Sequence, residues 1–104
     1  MIIEQRTYTL LPGKLPEFLN IYEELGLPIQ LRILGNLIAA MTTEVGPLNQ
    51  YIHLWGYESM ADREARRAKL AVDPDWPTYL ATAAPMFQSM ESKICVPARY
   101  SPVR

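Results

Sequence analysis

The sequence has very little of what most chemical sites are built from. Its 104 residues include one cysteine, Cys95, and one histidine, His53. A single cysteine excludes a disulfide within the chain and is typical of a reducing compartment. No residues have the spacing of metal ligands, and no glycine-rich phosphate loop or dinucleotide fingerprint is present. We therefore expect neither a metal nor an organic cofactor.

An excess of charge is also missing. Ten basic residues stand against eleven acidic ones, giving a formal net charge of -1. This balance argues against nucleic acids and anionic membranes as partners. The purest apolar run, Leu37 to Met41, is far too short to cross a bilayer. The start of the chain, Met1 to Arg6, does not look like a secretory signal, so we expect a cytoplasmic protein.

The composition itself is that of an ordinary globular protein, with 49% hydrophobic and 20% charged residues. A chain of this length fits one domain, which we expect to cover residues 1–104. Its core should be thin, such as one sheet covered by helices.

The spacing of apolar residues predicts four strands, at 2–10, 33–45, 50–57 and 89–96, and three helical regions, at 14–25, 60–70 and 76–84. Gly26 and Pro28 predict the end of the first helix. Ser59 and Asp62 have the spacing of a capping box at the start of the second helix. Asp75 is the predicted N-cap of the third.

The order of these elements predicts an α+β fold, the ferredoxin-like β-α-β-β-α-β sandwich. Strands 1 and 3 should be parallel neighbours in the middle of the sheet, with all helices on one face. Strand 3 offers Ile52 and Leu54 to one face and Tyr51, Trp55 and Tyr57 to the other.

Strand 2 is predicted to be apolar on both faces as well, with Leu37, Ala39 and Met41 on one side and Ile38 and Ala40 on the other. A sheet that is apolar on both faces needs a second layer. A second copy of the chain is the simplest such layer, so we expect a homodimer.

Several stretches resemble the NIPSNAP family. They are Gly35–Ile38, Thr43–Asn49, His53–Ser59, Ala61–Arg67, Asp75–Trp76 and the opening Glu4-x-Arg6-x-Tyr8 with Pro12-Gly13. The resemblance implies a dimeric α/β barrel, in which two ferredoxin-like sheets pack face to face. It implies no particular reaction. Larger animal relatives are associated with mitochondria and vesicle traffic, and that role is not carried over because their N-terminal extension is not seen here.

Two series of alternating residues suggest a small-molecule site. Strand 1 carries Glu4, Arg6 and Tyr8, and strand 3 carries Tyr51, His53, Trp55 and Tyr57. We predict that Arg6, Tyr8, His53 and Trp55 line one cavity on the helix side, with Trp76 as either its lid or a plug of the core. Arg6, Tyr8, Trp55 and Trp76 are the predicted substrate-binding residues, and His53 is the predicted catalytic base.

A structural explanation of the same residues stays open. Arg6 then pairs with Glu4 or Glu44, the aromatic residues are core, and His53 is a buried structural histidine. Cys95 is expected to be a small core residue. The basic run of helix 2 is expected to face solvent; its members are Arg63, Arg66, Arg67 and Lys69.

Three functions are compatible with these residues. The first is binding of a small organic molecule in the polar and aromatic pocket. The second is a cofactor-free monooxygenase or isomerase, by analogy with other dimeric α/β barrels, in which His53 abstracts a proton and Arg6 and Tyr8 stabilise an oxyanion. The third is a structural or interaction module with a closed core. The sequence does not decide whether the protein is an enzyme.

Overall fold

A computed structural model describes residues 1–104 and consists of one sheet with helices on one of its faces. The strands are β1 (Ile2–Leu10), β2 (Asn36–Thr42), β3 (Gln50–Tyr57) and β4 (Phe87–Cys95). The helices are α1 (Leu15–Ile21), α2 (Leu27–Ile33), α3 (Met60–Ala71) and α4 (Trp76–Ala83). A π-helical segment (Tyr22–Gly26) joins α1 to α2, and a 3₁₀ turn (Ala84–Met86) follows α4.

The sheet has the order β2-β3-β1-β4, which confirms the ferredoxin-like α+β fold. All neighbours are antiparallel, so the predicted parallel pairing of β1 and β3 is wrong. The reason is the β2–β3 hairpin, which reverses the chain after the crossover from β1 to β2. Arg6 is paired with His53 and Tyr8 with Tyr51, so these side chains still share one face.

The first helical region runs on past the predicted stop. At the π-helical segment the Leu27 N–H donates to the Tyr22 carbonyl, five residues back. Pro28 follows in the first turn of α2, where its missing N–H is tolerated. A Cβ on Gly26 would lie 2.8 Å from the Tyr79 ring. Gly26 therefore permits close packing of α4 and does not end the helix.

The second strand is shorter than predicted and irregular. The helix ends only at Ile33, so β2 begins at Asn36. Its register shifts between Leu37, which pairs with Trp55, and Ala39, which pairs with Leu54. Leu37 and Ala39 therefore lie on opposite faces, because the irregularity breaks the alternation on which the prediction relied.

The core lies between the sheet and the helices, in two groups of buried side chains. The larger group is mostly aromatic and includes Tyr8, Phe18, Tyr22, Tyr51 and Tyr79. The smaller group consists of Ile29, Leu34, Trp55, Tyr57 and Leu70. Ile52 and Leu54 alternate with these residues and point to the other face, hereafter the open face, where they are only half-buried. The predicted division of β3 is correct.

The caps of α3 and α4 differ in how well the sequence predicts them. Ser59 Oγ accepts from the Asp62 N–H at 3.1 Å, as the capping box requires. Asp75 occupies the N-cap position of α4, but its side chain makes no capping bond. The carboxylate of Asp73 takes that place: it accepts from the Asp75 N–H at 3.0 Å and pairs with Arg32 at 2.7 Å.

Cys95 is exposed, so its prediction as a core residue is wrong. It lies on β4, an edge strand with a neighbour on one side only, and pairs with Ile3 of the open face. No helix of the structure combines the length and hydropathy that crossing a membrane requires.

Candidate functional site

The most buried charge of the protein is the carboxylate of Glu4, which is fully enclosed on the helix side of β1. It accepts from Arg6 Nη1 at 2.9 Å, from Arg63 Nη2 at 2.8 Å and from Ser92 Oγ at 2.5 Å. Burial by itself raises the pKa of Glu4, but the bonds from Arg63 and Ser92 and the charge of Arg6 lower it to about 2. Of the two alternatives for Arg6, pairing with Glu4 is the one found.

Two members of the basic run of α3 turn towards the sheet, so the expected solvated face is wrong for them. Arg63 bonds Glu4, and Arg67, one turn later, faces the same side of the helix. Arg66 pairs with Asp62 at 2.9 Å and donates to two backbone carbonyls, but its side chain is 40% exposed. Lys69 is exposed as predicted.

A pocket of about 240 Å³ lies on the helix side of β1 and β4, between α3 and α4. One wall is apolar and is made by Trp76, Tyr79, Leu80, Phe87 and Met90. The polar residues of its lining are Arg6, Tyr8, Gln30 and Arg67. A few polar groups opposite an apolar wall are typical of small-molecule sites.

Three of the four polar residues of the pocket are held in place by hydrogen bonds, and Arg67 is the exception. Arg6 donates from Nε to Tyr8 Oη at 2.9 Å, in addition to its bond with Glu4. Gln30 accepts from the Tyr22 hydroxyl through Oε1, so its amide NH₂ is left to face other groups. Arg67 Nη1 is buried and has no hydrogen-bond partner, and the same is true of Tyr57 Oη.

His53 lies behind the pocket and not in its lining. Its Nδ1 accepts from Trp55 Nε1 at 2.7 Å, which leaves the proton of the neutral ring on the buried, unpartnered Nε2. Burial and the charge of Arg6 lower the pKa of His53 to about 3. A neutral imidazole whose one basic lone pair is already bonded does not fit the role of general base.

The prediction that four residues line one cavity is thus only half correct. Arg6 and Tyr8 line the pocket, whereas His53 and Trp55 are fully buried in the layer beneath it. Trp76 forms part of the wall of the pocket and also packs against both groups of the core, with its ring centroid 4.9 Å from that of Tyr79.

Sequence reasoning missed Gln30, Arg67 and Tyr79. Gln30 lies beyond the predicted end of the first helix, and Arg67 was hidden in a run expected to be solvated. The spacing of Arg63 and Arg67 is the signal that would have placed both on one helix face.

Other parts of the structure offer less to a ligand. A more open groove of about 330 Å³ lies between the first helical region and α4, but its polar residues Glu24, Asp75 and Thr78 are exposed. No group of three or more His, Cys, Asp or Glu side chains is arranged to hold a metal ion.

Comparison of the whole fold finds near-identical folds among bacterial proteins. A NIPSNAP family protein from Agrobacterium tumefaciens superposes with a TM-score of 0.97 at 44% identity, covering 99% of this chain and 98% of that one. A protein from Nitrosomonas europaea assigned to the antibiotic biosynthesis monooxygenases superposes at 0.68 with 13% identity, covering 96% of this chain and 100% of that one. At such low identity the likeness concerns the fold alone.

Comparison of the sequence gives the same family. NipSnap homolog 1 of Danio rerio is 32% identical and human NipSnap homolog 2 is 31% identical, each over 99% of this chain. The chain spans only 36% and 35% of the lengths of these two relatives. The NIPSNAP family model matches residues 3–102. The chain belongs to the NIPSNAP family.

Proposed function

We propose that this protein binds a small organic molecule in the pocket between the sheet, α3 and α4. The observation that carries the proposal is an apolar wall facing polar side chains that are already fixed by Glu4, Tyr8 and Tyr22. Fixed donors lose little conformational entropy when a ligand arrives. The volume of about 240 Å³ is below the usual range of roughly 300–1,000 Å³, so the ligand is small.

Binding without turnover is favoured over an enzymatic function. Proton abstraction needs a base within reach of the ligand, and the lone pair of His53 is bonded to Trp55. Trp55 lies in the core, so Arg6, Tyr8 and Trp76 are the predicted binding residues that the pocket brings together.

The functional unit that we propose is a cytoplasmic homodimer, each chain forming one domain over residues 1–104. Pairing of β4 with β1 joins the two ends of the chain in one sheet, which supports a single domain. The open face supports the dimer, because it carries Ile52, Leu54 and Met41, the last of them 44% exposed. The lone exposed Cys95 fits a reducing compartment.

Filling the pocket tests the proposed binding. Ala84 lines the pocket, and Ala84→Leu adds a bulky side chain there. With p-cresol as a neutral aromatic probe, we expect titration calorimetry to detect binding to the parent protein and at least tenfold weaker binding to the variant. Ala61→Leu makes the same change at an exposed site of α3 and should leave binding intact. Equal affinity of the two variants for p-cresol would show that the probe binds outside this pocket.

A further inference from the structure

The charges around the pocket do not balance. Arg6 and Arg63 share the single carboxylate of Glu4, with Nη···Oε2 distances of 2.9 Å and 2.8 Å. Arg67 forms no salt bridge, although its Nη1 is buried. No aspartate or glutamate is among the residues that line the pocket. Three guanidinium groups therefore face one carboxylate, and the cation without a partner borders the cavity.

Arg67 as a whole is half-buried, but its buried Nη1 has no acceptor, which destabilises the fold, and a ligand that supplies an acceptor would remove this cost. A buried donor without an acceptor has lost its hydrogen bond to water and gained none in return. An anion that enters the pocket would supply the missing acceptor.

From this imbalance we propose that the ligand is a carboxylic acid with a small apolar body, held at its carboxylate by Arg67. The inference rests on the proposed function, because it uses the same pocket. The planar guanidinium of Arg67 matches a carboxylate, and the free amide NH₂ of Gln30 is a second donor for it. The apolar body would lie against Trp76 and Leu80.

The same wall makes a phosphate monoester the poorer match. A dianion loses more hydration free energy than a monoanion on entering an apolar cavity. Two of the five N–H donors of Arg6 are already used, by Glu4 and Tyr8, whereas Arg67 forms no salt bridge and the amide NH₂ of Gln30 is free. The donors of Arg67 and Gln30 suit the two oxygens of a carboxylate.

Three probes of one shape test this: phenylacetate, its neutral isostere phenylacetamide, and phenyl phosphate. For the parent protein at neutral pH we expect phenylacetate to bind at least tenfold more tightly than phenylacetamide, and more tightly than phenyl phosphate. Arg67→Gln should bring phenylacetate to the affinity of the amide, and the amide should bind as before. Lys69→Gln removes the same charge from an exposed site of the same helix and should keep the preference.

The outcomes separate the two proposals. Equal affinity for phenylacetate and phenylacetamide would overturn the anion inference, and so would an R67Q variant that still prefers phenylacetate. Either result would leave the proposal of a small-molecule pocket standing. Tighter binding of phenyl phosphate would overturn the carboxylate class. If none of the three probes binds at millimolar concentration, both proposals fail. Should R67Q not fold, the comparison of acid with amide on the parent protein still decides, and Arg67→Lys then shows whether charge without the planar fork suffices.

Discussion

At the scale of single residues, the charge of Glu4 ties folding stability to pH. Its pKa is about 2 in the folded chain against 4.5 ordinarily, so its contribution is present above about pH 4.5 and is lost as the pH falls towards 2. The shift corresponds to about 3 kcal/mol. Glu4→Gln should lower the free energy of unfolding at pH 7 by about 3–5 kcal/mol and should make its pH dependence below 4.5 less steep, leaving the part due to His53.

Urea unfolding at a series of pH values measures both effects. Glu23→Gln, at an exposed site of the π-helical segment, is the control and should follow the parent protein. A loss of stability between pH 4.5 and 2 that is as steep in the Glu4 variant as in the parent protein would contradict the assignment to this carboxylate.

His53 gives a second prediction at this scale. Its folded pKa is lowered to about 3, so the neutral ring stabilises the fold above pH 6.5, and that stability declines as the pH falls through the range from 6.5 to 3. The slope should approach about 1.4 kcal/mol per pH unit. Because His53 is the only histidine, nitrogen NMR reads it without overlap. We expect a neutral ring protonated on Nε2 at pH 5, and a charged ring there would show that the site is solvated.

At the scale of elements, the π-helical segment brings α4 close to the first helical region. A Cβ at Gly26 would lie 2.8 Å from Tyr79 Cε1 and 2.9 Å from Tyr22 Cδ1. Gly26→Ala should therefore destabilise the protein by about 1–3 kcal/mol, although alanine is the better helix former by about 1 kcal/mol.

Thermal unfolding checks this, with Asn20→Ala on the exposed side of α1 as the control. The control should be neutral or slightly stabilising. A G26A variant as stable as the parent protein would mean that the ring of Tyr79 yields easily, and that the glycine is not required for this packing.

The elements also show how much of the fold can be predicted from the sequence. β1 and β3 are predicted residue for residue, because alternation with period two is decided locally. The first helical region is predicted to end eight residues too early, since the role of Gly26 depends on Tyr79, more than fifty positions away. In the site, Arg6, Tyr8 and Trp76 are found from strand alternation and a helix start. Gln30 and Arg67 are missed because their inward direction is set by how the helices pack on the sheet.

At the scale of the whole molecule, the open face predicts the assembly. Leu54 lies on that face in the central strand β3, opposite Gln5. A dimer of this kind buries on the order of 2,000 Å² or more in total. Leu54→Glu should convert the proposed dimer to a monomer, because it would put a charge in the centre of the proposed interface.

Light scattering at micromolar concentration measures the molar mass of the particle directly. Val72→Glu is the matched control, since Val72 is 80% exposed at the end of α3 and lies away from the sheet. A monomeric parent protein would rule out the proposed dimer.

The central claim is that the pocket beside Arg67 and Trp76 binds a small molecule, and chemical-shift mapping with phenylacetate on ¹⁵N-labelled protein tests it most directly. We expect saturable shifts at the indole N–H of Trp76 and at the amides of Leu80 and Met90, with none in the β2–β3 loop at Val45 and Leu48. Shifts confined to the open face, or no shifts at millimolar concentration, would contradict it.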